Sequence, residues 1–207
     1  LDHAEKANKI AQNRKPDESL VETLTEHVNK SLRYPDLDHP EFSGTAQIYN
    51  DLYKGGNRIP KLGEFIENRV GVCREFAACL HVDLAEAGQE SWLMSGRVEK
   101  MALPNSGPAE VIPANIEHMW VEYIDQKTGI RMVADPTNNF VVPKTVAYSD
   151  YFDKVSNIKQ AQFVQPQNNK GSSLTDAISS AVNNILSGKN ISESVSGANV
   201  VKSADDL

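Results

Sequence analysis

The chain has 207 residues, of which 40% are hydrophobic, 24% are charged and 7% are aromatic. This length and composition fit one globular domain of about 150 residues with additional segments. The 21 Lys and Arg residues against 28 Asp and Glu residues give a net charge of −7, which argues against binding nucleic acid or anionic lipid through bulk charge. No apolar run approaches the roughly 18 residues of a membrane-spanning helix, so no integral membrane segment is predicted.

The two cysteines, Cys73 and Cys79, are predicted to be free thiols. On one helix their spacing separates them by about 120° and ~9 Å along the axis, too far for a disulfide. Free thiols favour a reducing compartment of action, so the expected location is the cytoplasm. Because the sequence begins at Leu1 without Met, it stays open whether a signal peptide has been removed.

Metal binding has no clear signal in the sequence. A zinc site typically uses paired Cys and His spacings, which this chain lacks. We therefore expect no metal and no cofactor. The five histidines are scattered: His3, His27, His39, His81 and His118.

Helix signals dominate the first half of the chain. Apolar periodicity, acidic first turns and breaker residues predict five helices, over 1–13, 17–32, 45–53, 60–68 and 73–87. The last has a clear apolar stripe and stops at Gly88. His81 lies off that stripe and is expected at the surface, and surface charge is the favoured interpretation of Arg74 and Glu75.

After this helix, the spacing of apolar residues changes to that of β-strands. Short segments rich in β-branched and aromatic residues predict strands over 91–98, 116–124 and 130–134. A further strand and a short helix are expected between Val141 and Val155. The prolines of Met101–Pro113 indicate a long loop, which is the expected substrate-facing lid. Helices followed by strands favour an α+β class in which the last helix packs on an antiparallel sheet.

The C-terminal part differs in composition from the rest. From Gln165 onward Gln, Asn, Ser and Gly predominate, which predicts a domain over 1–164 and a linker and tail over 165–207. A capping box at Ser173–Asp176 begins one short amphipathic helix. Docking on the domain, or a marginal isolated helix, is the favoured interpretation. A partner-binding helix is the alternative, although its polar face lacks the basic residues expected for anionic membranes.

Cys73 lies in the first turn of its helix, behind Gly71. Unpaired N–H groups and the positive end of the helix dipole at this position favour the thiolate, the reactive form of cysteine. Gly71 allows a close approach of the backbone and so leaves room for a substrate acyl group. Taken alone, the pattern is more typical of a structural cysteine on a buried helix face than of a nucleophile.

Two later positions complement Cys73. A hairpin closed by the four residues 125–128 would place His118 directly opposite Asp135 on one face. The carboxylate would then select the imidazole tautomer and leave the second ring nitrogen to activate a nucleophile. Trp120 lies on the same face and would wall the site from water. The three side chains form a candidate Cys-His-Asp triad.

Such a triad implies a thioester mechanism. The thiolate attacks an amide or ester carbonyl, the imidazolium protonates the leaving group, and water or an amine resolves the thioester. The backbone N–H of Cys73 is the expected first oxyanion donor. The second donor stays open among three upstream candidates: Tyr53, Asn57 and Asn68.

Three segments occur in a characteristic order: Gly71-Val72-Cys73 at a helix start, His118-Met119-Trp120 on a strand, and Asp135-Pro136-Thr137. With Gly96 on a strand, they resemble the Gly-x-Cys, His-x-Trp and Asp-Pro-Thr motifs of the transglutaminase-like superfamily. The resemblance covers about residues 60–140. It implies a papain-like fold and a compact, bacterial-type member.

This resemblance carries Cys73 over as nucleophile, His118 as base and Asp135 as orienting residue. It implies a protein or peptide substrate. The β domains and calcium sites of the long animal enzymes have no counterpart here, and neither do the zinc-binding cysteine pairs of peptide deglycosylases. The favoured function is that of a cysteine protease or glutamine deamidase, with a secreted effector as one setting. The alternatives are a transglutaminase with an amine acceptor and a non-catalytic peptide-binding scaffold.

Overall fold

The computed structural model describes residues 2–35, 44–54, 60–102, 111–153 and 155–162. Five helices occupy the first half of the chain. They are α1 (Asp2–Asn13), α2 (Leu20–Ser31), α3 (Thr45–Lys54), α4 (Leu62–Asn68) and α5 (Cys73–Glu86). These positions follow the predicted helices closely because each helix has a strong apolar period and a clear end signal.

An antiparallel sheet follows the helices. Its strands are β1 (Ser91–Ala102), β2 (Val111–Ile124), β3 (Arg131–Asp135), β4 (Phe140–Pro143), β5 (Phe152–Asp153) and β6 (Ser156–Gln162). A short helix α6 (Lys144–Val146) and a π-helical turn (Ala147–Tyr151) connect β4 to β5. The strand order is β4-β3-β2-β1, and both β5 and β6 pair with β1. The predicted α+β class is confirmed.

The sheet separates two cores, because neighbouring residues of a strand point to opposite faces. On one face α5 packs on the sheet, and Met119 and Val121 of β2 join Leu80 and Leu84 of α5 in the helical core. On the other face an aromatic core forms without α1 to α5. Its buried members are Met94, Val98, Trp120, Val133, Phe140, Ala147 and Phe152.

Helix α5 is buried on every side in its middle, from Glu75 to Leu84. It contacts α1, α2, α4, β1 and β2, so no side of its central turns faces solvent. The expectation of a surface position for His81 and Glu75 is therefore wrong, since each is only 2% exposed. The His81 ring bonds the Ser91 hydroxyl at 2.7 Å. Periodicity detected the stripe but did not detect how many elements surround the helix.

The hairpin of β1 and β2 is longer than predicted. Lys100 pairs with Pro113 and Ala102 pairs with Val111, so both ends of the predicted loop Met101–Pro113 belong to strands. A register shift between Val98 and Lys100 lies beside the pairing of Pro113, as is common where proline interrupts a ladder. The expected lid is thus limited to residues 103–110, which lie outside the described residues.

Several further expectations can be placed. Both cysteines are free thiols, as predicted. Within the described ranges, no helix has the length and apolar character needed to cross a bilayer. The predicted tail helix and the boundary after residue 164 lie outside the described residues and stay predictions.

Candidate active site

Cys73 is the first residue of α5, and its side chain is half-buried. The helix begins here because a Glu75 carboxylate oxygen accepts the Val72 N–H at 3.0 Å, which caps the first turn. As the first helical residue, Cys73 has a backbone N–H without a partner inside the helix. That N–H points out of the helix N-terminus, where negative charge is stabilised.

The predicted register of the second hairpin is wrong by two residues. Val121 pairs with Ala134 and Ile124 pairs with Arg131, so the connection covers 125–130 and not 125–128. A shift of two residues keeps every side chain on its face, whereas a shift of one would reverse it. His118 and Asp135 are therefore diagonal neighbours on one face and not directly opposite.

The diagonal geometry still brings the two side chains together. His118 Nε2 lies 2.7 Å from Asp135 Oδ2. The imidazole is 2% exposed and the carboxylate is fully buried. Since Nε2 is engaged by the carboxylate, the ring's Nδ1 is the nitrogen left for another group.

Asp135 accepts further hydrogen bonds from the turn that follows it. Its Oδ1 accepts the N–H groups of Thr137 at 3.0 Å and Asn138 at 3.2 Å. Its Oδ2 also accepts the Asn138 side-chain amide at 2.7 Å. From α2, the Asn29 amide donates to the Pro136 carbonyl at 2.8 Å and so ties this turn to the helical core. The carboxylate is held in one orientation toward His118.

Cys73 acts electrostatically on the same imidazole. Burial of the His118 ring opposes its charged form, but the Asp135 carboxylate, with a smaller contribution from the Cys73 sulfur, outweighs burial. Together they raise the pKa of His118 to about 10. The sulfur also lies 3.9 Å from the Glu117 carbonyl oxygen. The structure thus brings together the three predicted residues Cys73, His118 and Asp135.

Aromatic rings support His118 from the interior of the sheet. The Trp120 ring stacks at 6.1 Å between centroids, and Phe152 meets the imidazole edge at 5.5 Å. The Trp120 N–H donates to the buried Glu122 carboxylate at 3.3 Å. The same carboxylate accepts the Tyr148 hydroxyl at 2.7 Å. Trp120 is fully buried, so it fills the aromatic core beneath the imidazole.

Packing of the polypeptide around the start of α5 requires glycine at position 71. A Cβ there would lie 2.8 Å from the Glu75 Cβ and 3.4 Å from a Leu32 methyl group. Gly71 therefore permits the capping turn of α5 to close against α2. Gly96 pairs with His118, and a Cβ there would meet the Trp120 ring at 3.0 Å.

Two of the three candidates for a second oxyanion donor, Tyr53 and Asn68, have other partners within the described residues. The Tyr53 ring, 37% exposed, packs against Phe65 and lies 5.5 Å from the Arg74 guanidinium. The Asn68 amide donates to the Glu64 carbonyl of its own helix at 2.7 Å. Asn57 lies outside the described residues.

Two groups near the site escaped the sequence interpretation. The Tyr49 hydroxyl accepts a hydrogen bond from Arg74 at 3.1 Å. Burial, the Glu75 carboxylate and the nearby Cys73 sulfur raise the pKa of Tyr49 to about 12. Asn138, which holds Asp135, is the other. The Asx turn in which Asp135 accepts the Thr137 N–H had a signal in the sequence, the Asp-Pro dipeptide, whereas the side-chain contact of Asn138 had none.

No protein-family model and no curated protein matches the sequence. Among solved structures, a candidate cysteine protease from Cytophaga hutchinsonii aligns over 81% of this chain and 53% of its own, with 16% identity and a TM-score of 0.38. Calcium-bound LapG of Legionella pneumophila aligns over 88% of this chain and 98% of its own, with 16% identity and a TM-score of 0.34. This chain thus spans about half the length of the Cytophaga protein. At this level of similarity the neighbours establish no common family.

Proposed function

We propose that the chain is a thiol-dependent hydrolase that cleaves an amide bond in a protein or peptide, with proteolysis as the favoured reaction. Cys73 is the nucleophile, His118 the general acid and base, and Asp135 the orienting residue. The observation that carries the proposal is the buried His118–Asp135 pair, whose carboxylate has a donor on each oxygen, with the Cys73 sulfur near enough to act on the same imidazole. The order of the three sequence motifs supports the same roles.

The first half of the reaction forms a thioester. The Cys73 thiolate attacks the carbonyl carbon, and the carbonyl oxygen becomes an oxyanion at the unpaired N–H of Cys73. The C–N bond then breaks as the imidazolium of His118 transfers its proton to the leaving amine. Asp135 holds the ring through Nε2, so Nδ1 serves as the proton donor.

The second half releases the acyl group. Water attacks the thioester carbon, the neutral imidazole of His118 takes the proton of that water, and the C–S bond breaks. The products are a carboxylic acid and the original thiolate–imidazolium pair. An amine in place of water would give transamidation, and a glutamine side chain in place of a peptide bond would give deamidation.

A binding scaffold without catalysis is the competing function. The arrangement around Asp135 argues against it, because a peptide-recognition surface has no need of a buried carboxylate that accepts from His118, Thr137 and Asn138. A buried carboxylate without partners is costly, and this one has a partner for each oxygen.

Alkylation of Cys73 by iodoacetamide at about pH 6 tests the thiolate–imidazolium pair without a known substrate. Cys79 is a poor reference, because it is fully buried and burial raises the pKa of its thiol. The matched comparison is Cys73 in the wild type and in His118→Asn. We expect labelling at least about tenfold faster in the wild type. Equal rates in the two proteins would contradict the pair.

Intact-mass analysis of protein mixtures identifies the reaction, with Cys73→Ala as the inactive control. Proteolysis splits a substrate, deamidation produces a small mass gain, and transamidation joins two chains. We expect fragments that appear with the wild type and not with Cys73→Ala. If joined chains or deamidated products appeared instead, the reaction of the triad would be transamidation or deamidation and not proteolysis. Absence of any product together with slow alkylation would favour the scaffold.

A further inference from the structure

A second cluster of potential ligands lies away from Cys73, where three helices meet. His3 of α1, His27 of α2 and Asp83 of α5 each place one ligand atom within 4.8 Å of the others. The His3 and His27 rings stack at 5.0 Å between centroids. His3 Nε2 is 3.1 Å from Asp83 Oδ2.

Two polar atoms of this cluster are buried without a hydrogen-bond partner in the described part of the chain, namely His27 Nε2 and Asp83 Oδ1. The Asp83 side chain is fully buried, and the His3 side chain is 9% exposed. Burying a carboxylate oxygen or a ring nitrogen without a partner is costly. In a protein interior such atoms indicate a missing partner, and here both belong to residues that already face one another.

We propose that His3, His27 and Asp83 bind a zinc ion that joins α1 to α2 and α5. Two imidazoles and one carboxylate are ligands that Zn²⁺ accepts, at about 2.0–2.2 Å each. Tetrahedral ligands at that distance lie roughly 3.3 Å apart, and the His3–Asp83 separation of 3.1 Å already fits. All three ligand atoms lie within 4.8 Å of one another, so the third needs to approach by no more than about 1.5 Å.

The cluster also has an access route and room for a fourth ligand. His3 and His27 line a cavity of about 520 Å³. Lys6, Lys30 and Arg69 line it as well, together with the single acidic residue Glu67, so the lining carries a net positive charge. Water or a small anion at the fourth coordination position would suit that charge. A zinc ion with ligands from three helices would cross-link α1 to α2 and α5, in addition to the helix packing and the His3–Asp83 contact that already join α1 to the domain.

The proposal is independent of the catalytic one, and its test removes the possible thiolate ligand. The protein is prepared without a histidine tag as the Cys73→Ala variant and stripped of metal. We expect one zinc per chain after dialysis against about 0.1 mM Zn²⁺, and a rise in melting temperature of about 5 °C. Ca²⁺ should have no such effect, because imidazole ligands suit zinc and not calcium.

Ligand variants separate this site from adventitious binding. His3→Gln is the first variant, and Glu5→Gln on the exposed side of α1 is its matched control. We expect zinc affinity to fall at least about tenfold in His3→Gln and to stay unchanged in Glu5→Gln. His27→Gln gives the same test if His3→Gln folds poorly. Equal affinity in ligand and control variants, equal stabilisation by Ca²⁺, or no bound zinc would overturn the proposal.

Discussion

The described part of the chain contains two buried pairs in which a histidine Nε2 meets an aspartate Oδ2. His118 and Asp135 lie 2.7 Å apart, and His3 and Asp83 lie 3.1 Å apart. Both carboxylates are fully buried. The pairs differ in what surrounds them. Asp135 accepts three further hydrogen bonds, whereas Asp83 Oδ1 accepts none from the described residues.

This difference separates two kinds of chemistry. A carboxylate whose oxygens all accept hydrogen bonds keeps one orientation, and its role is limited to orienting its histidine. At the first pair this orientation matters because the Cys73 sulfur lies near His118. A carboxylate with an unused oxygen beside a second imidazole retains ligand capacity. The same residue pair therefore supports proton transfer at one place and metal binding at another.

The largest expected effect comes from removing the sulfur at the first pair. In Cys73→Ala we expect hydrolysis of the substrate found by intact mass to fall by about 10⁴-fold, because the covalent step is lost. The melting temperature should change by only a few degrees, since Cys73 is half-buried. Thermal unfolding beside the activity assay measures both. Normal activity in Cys73→Ala would end the catalytic proposal.

Cys79→Ala is the matched control for that variant. Cys79 is fully buried in the helical core, so its truncation should cost about 1 kcal/mol of unfolding free energy and leave turnover unchanged. A pattern in which Cys79→Ala is inactive and Cys73→Ala is active would reverse the assignment.

The next effect tests the carboxylate of the first pair. In Asp135→Asn the pKa of His118 should fall from about 10 toward its ordinary value, because the main favourable charge is gone. The imidazolium is then lost at lower pH, so the alkaline limb of Cys73 alkylation moves to lower pH. Turnover should drop by about 10³-fold.

Asp83→Asn, the equivalent change at the second pair, should leave that alkaline limb in place and weaken zinc binding. The pH profile of alkylation and the zinc stoichiometry are measured on both variants. If Asp83→Asn shifted the limb as much as Asp135→Asn, the distinction between the pairs would be wrong.

A third buried histidine, His81, has a pKa that is shifted in the direction opposite to that of His118. Burial lowers the pKa of His81, which bonds Ser91, to about 4. Its unfolded pKa is higher, so its stability contribution is complete above about pH 6.5 and is lost as pH falls through 4. The loss amounts to about 3 kcal/mol at most.

His118 has the opposite sign. Its raised pKa means that its contribution is complete below about pH 6.5 and is lost as pH rises through 10. Denaturant unfolding from pH 4 to 10 measures both slopes. In His81→Gln the acid slope should flatten while the alkaline slope stays; an unchanged acid slope would contradict the assignment to His81.

The smallest expected effect concerns the support of Asp135. In Asn29→Ala the turn at Pro136 loses its hydrogen bond from α2, and turnover should fall about threefold to fivefold. The shape of the pH profile should stay, because Asp135 keeps its own donors. Lys30→Ala, at an exposed position of the same helix, is the control and should be neutral. Equal effects of both changes would show only a loss of α2 stability.

The sequence was sufficient for the local features of the candidate site. The start of α5 at Cys73 follows from the apolar stripe and the glycine before it, and the strand that holds His118 follows from its β-branched and aromatic residues. The hairpin register needed a turn length that the sequence did not specify, and the predicted register was wrong by two residues. His118 and Asp135 stayed on one face of the sheet only because the register error was an even number of residues.

Strand β6 was not predicted at all. Its sequence, Ser156–Gln162, is polar and lacks the alternation of a half-buried strand. It forms because the edge of β1 offers unpaired backbone groups, which any sequence able to extend can satisfy. A similar reason hid the cluster of His3, His27 and Asp83, whose members are separated by up to 80 positions and share no spacing.

Local patterns in the sequence therefore determined the α+β class, the helix that carries Cys73 and the identity of the triad candidates. Those features depend on periodicity and on backbone capping, which act over a few residues. Tertiary structure alone decided that His81 and Glu75 are buried, that Asp135 is saturated with donors and that Asp83 is not. Burial and hydrogen-bond partners are set by groups distant in sequence, and the surroundings of each carboxylate decide what its histidine can do.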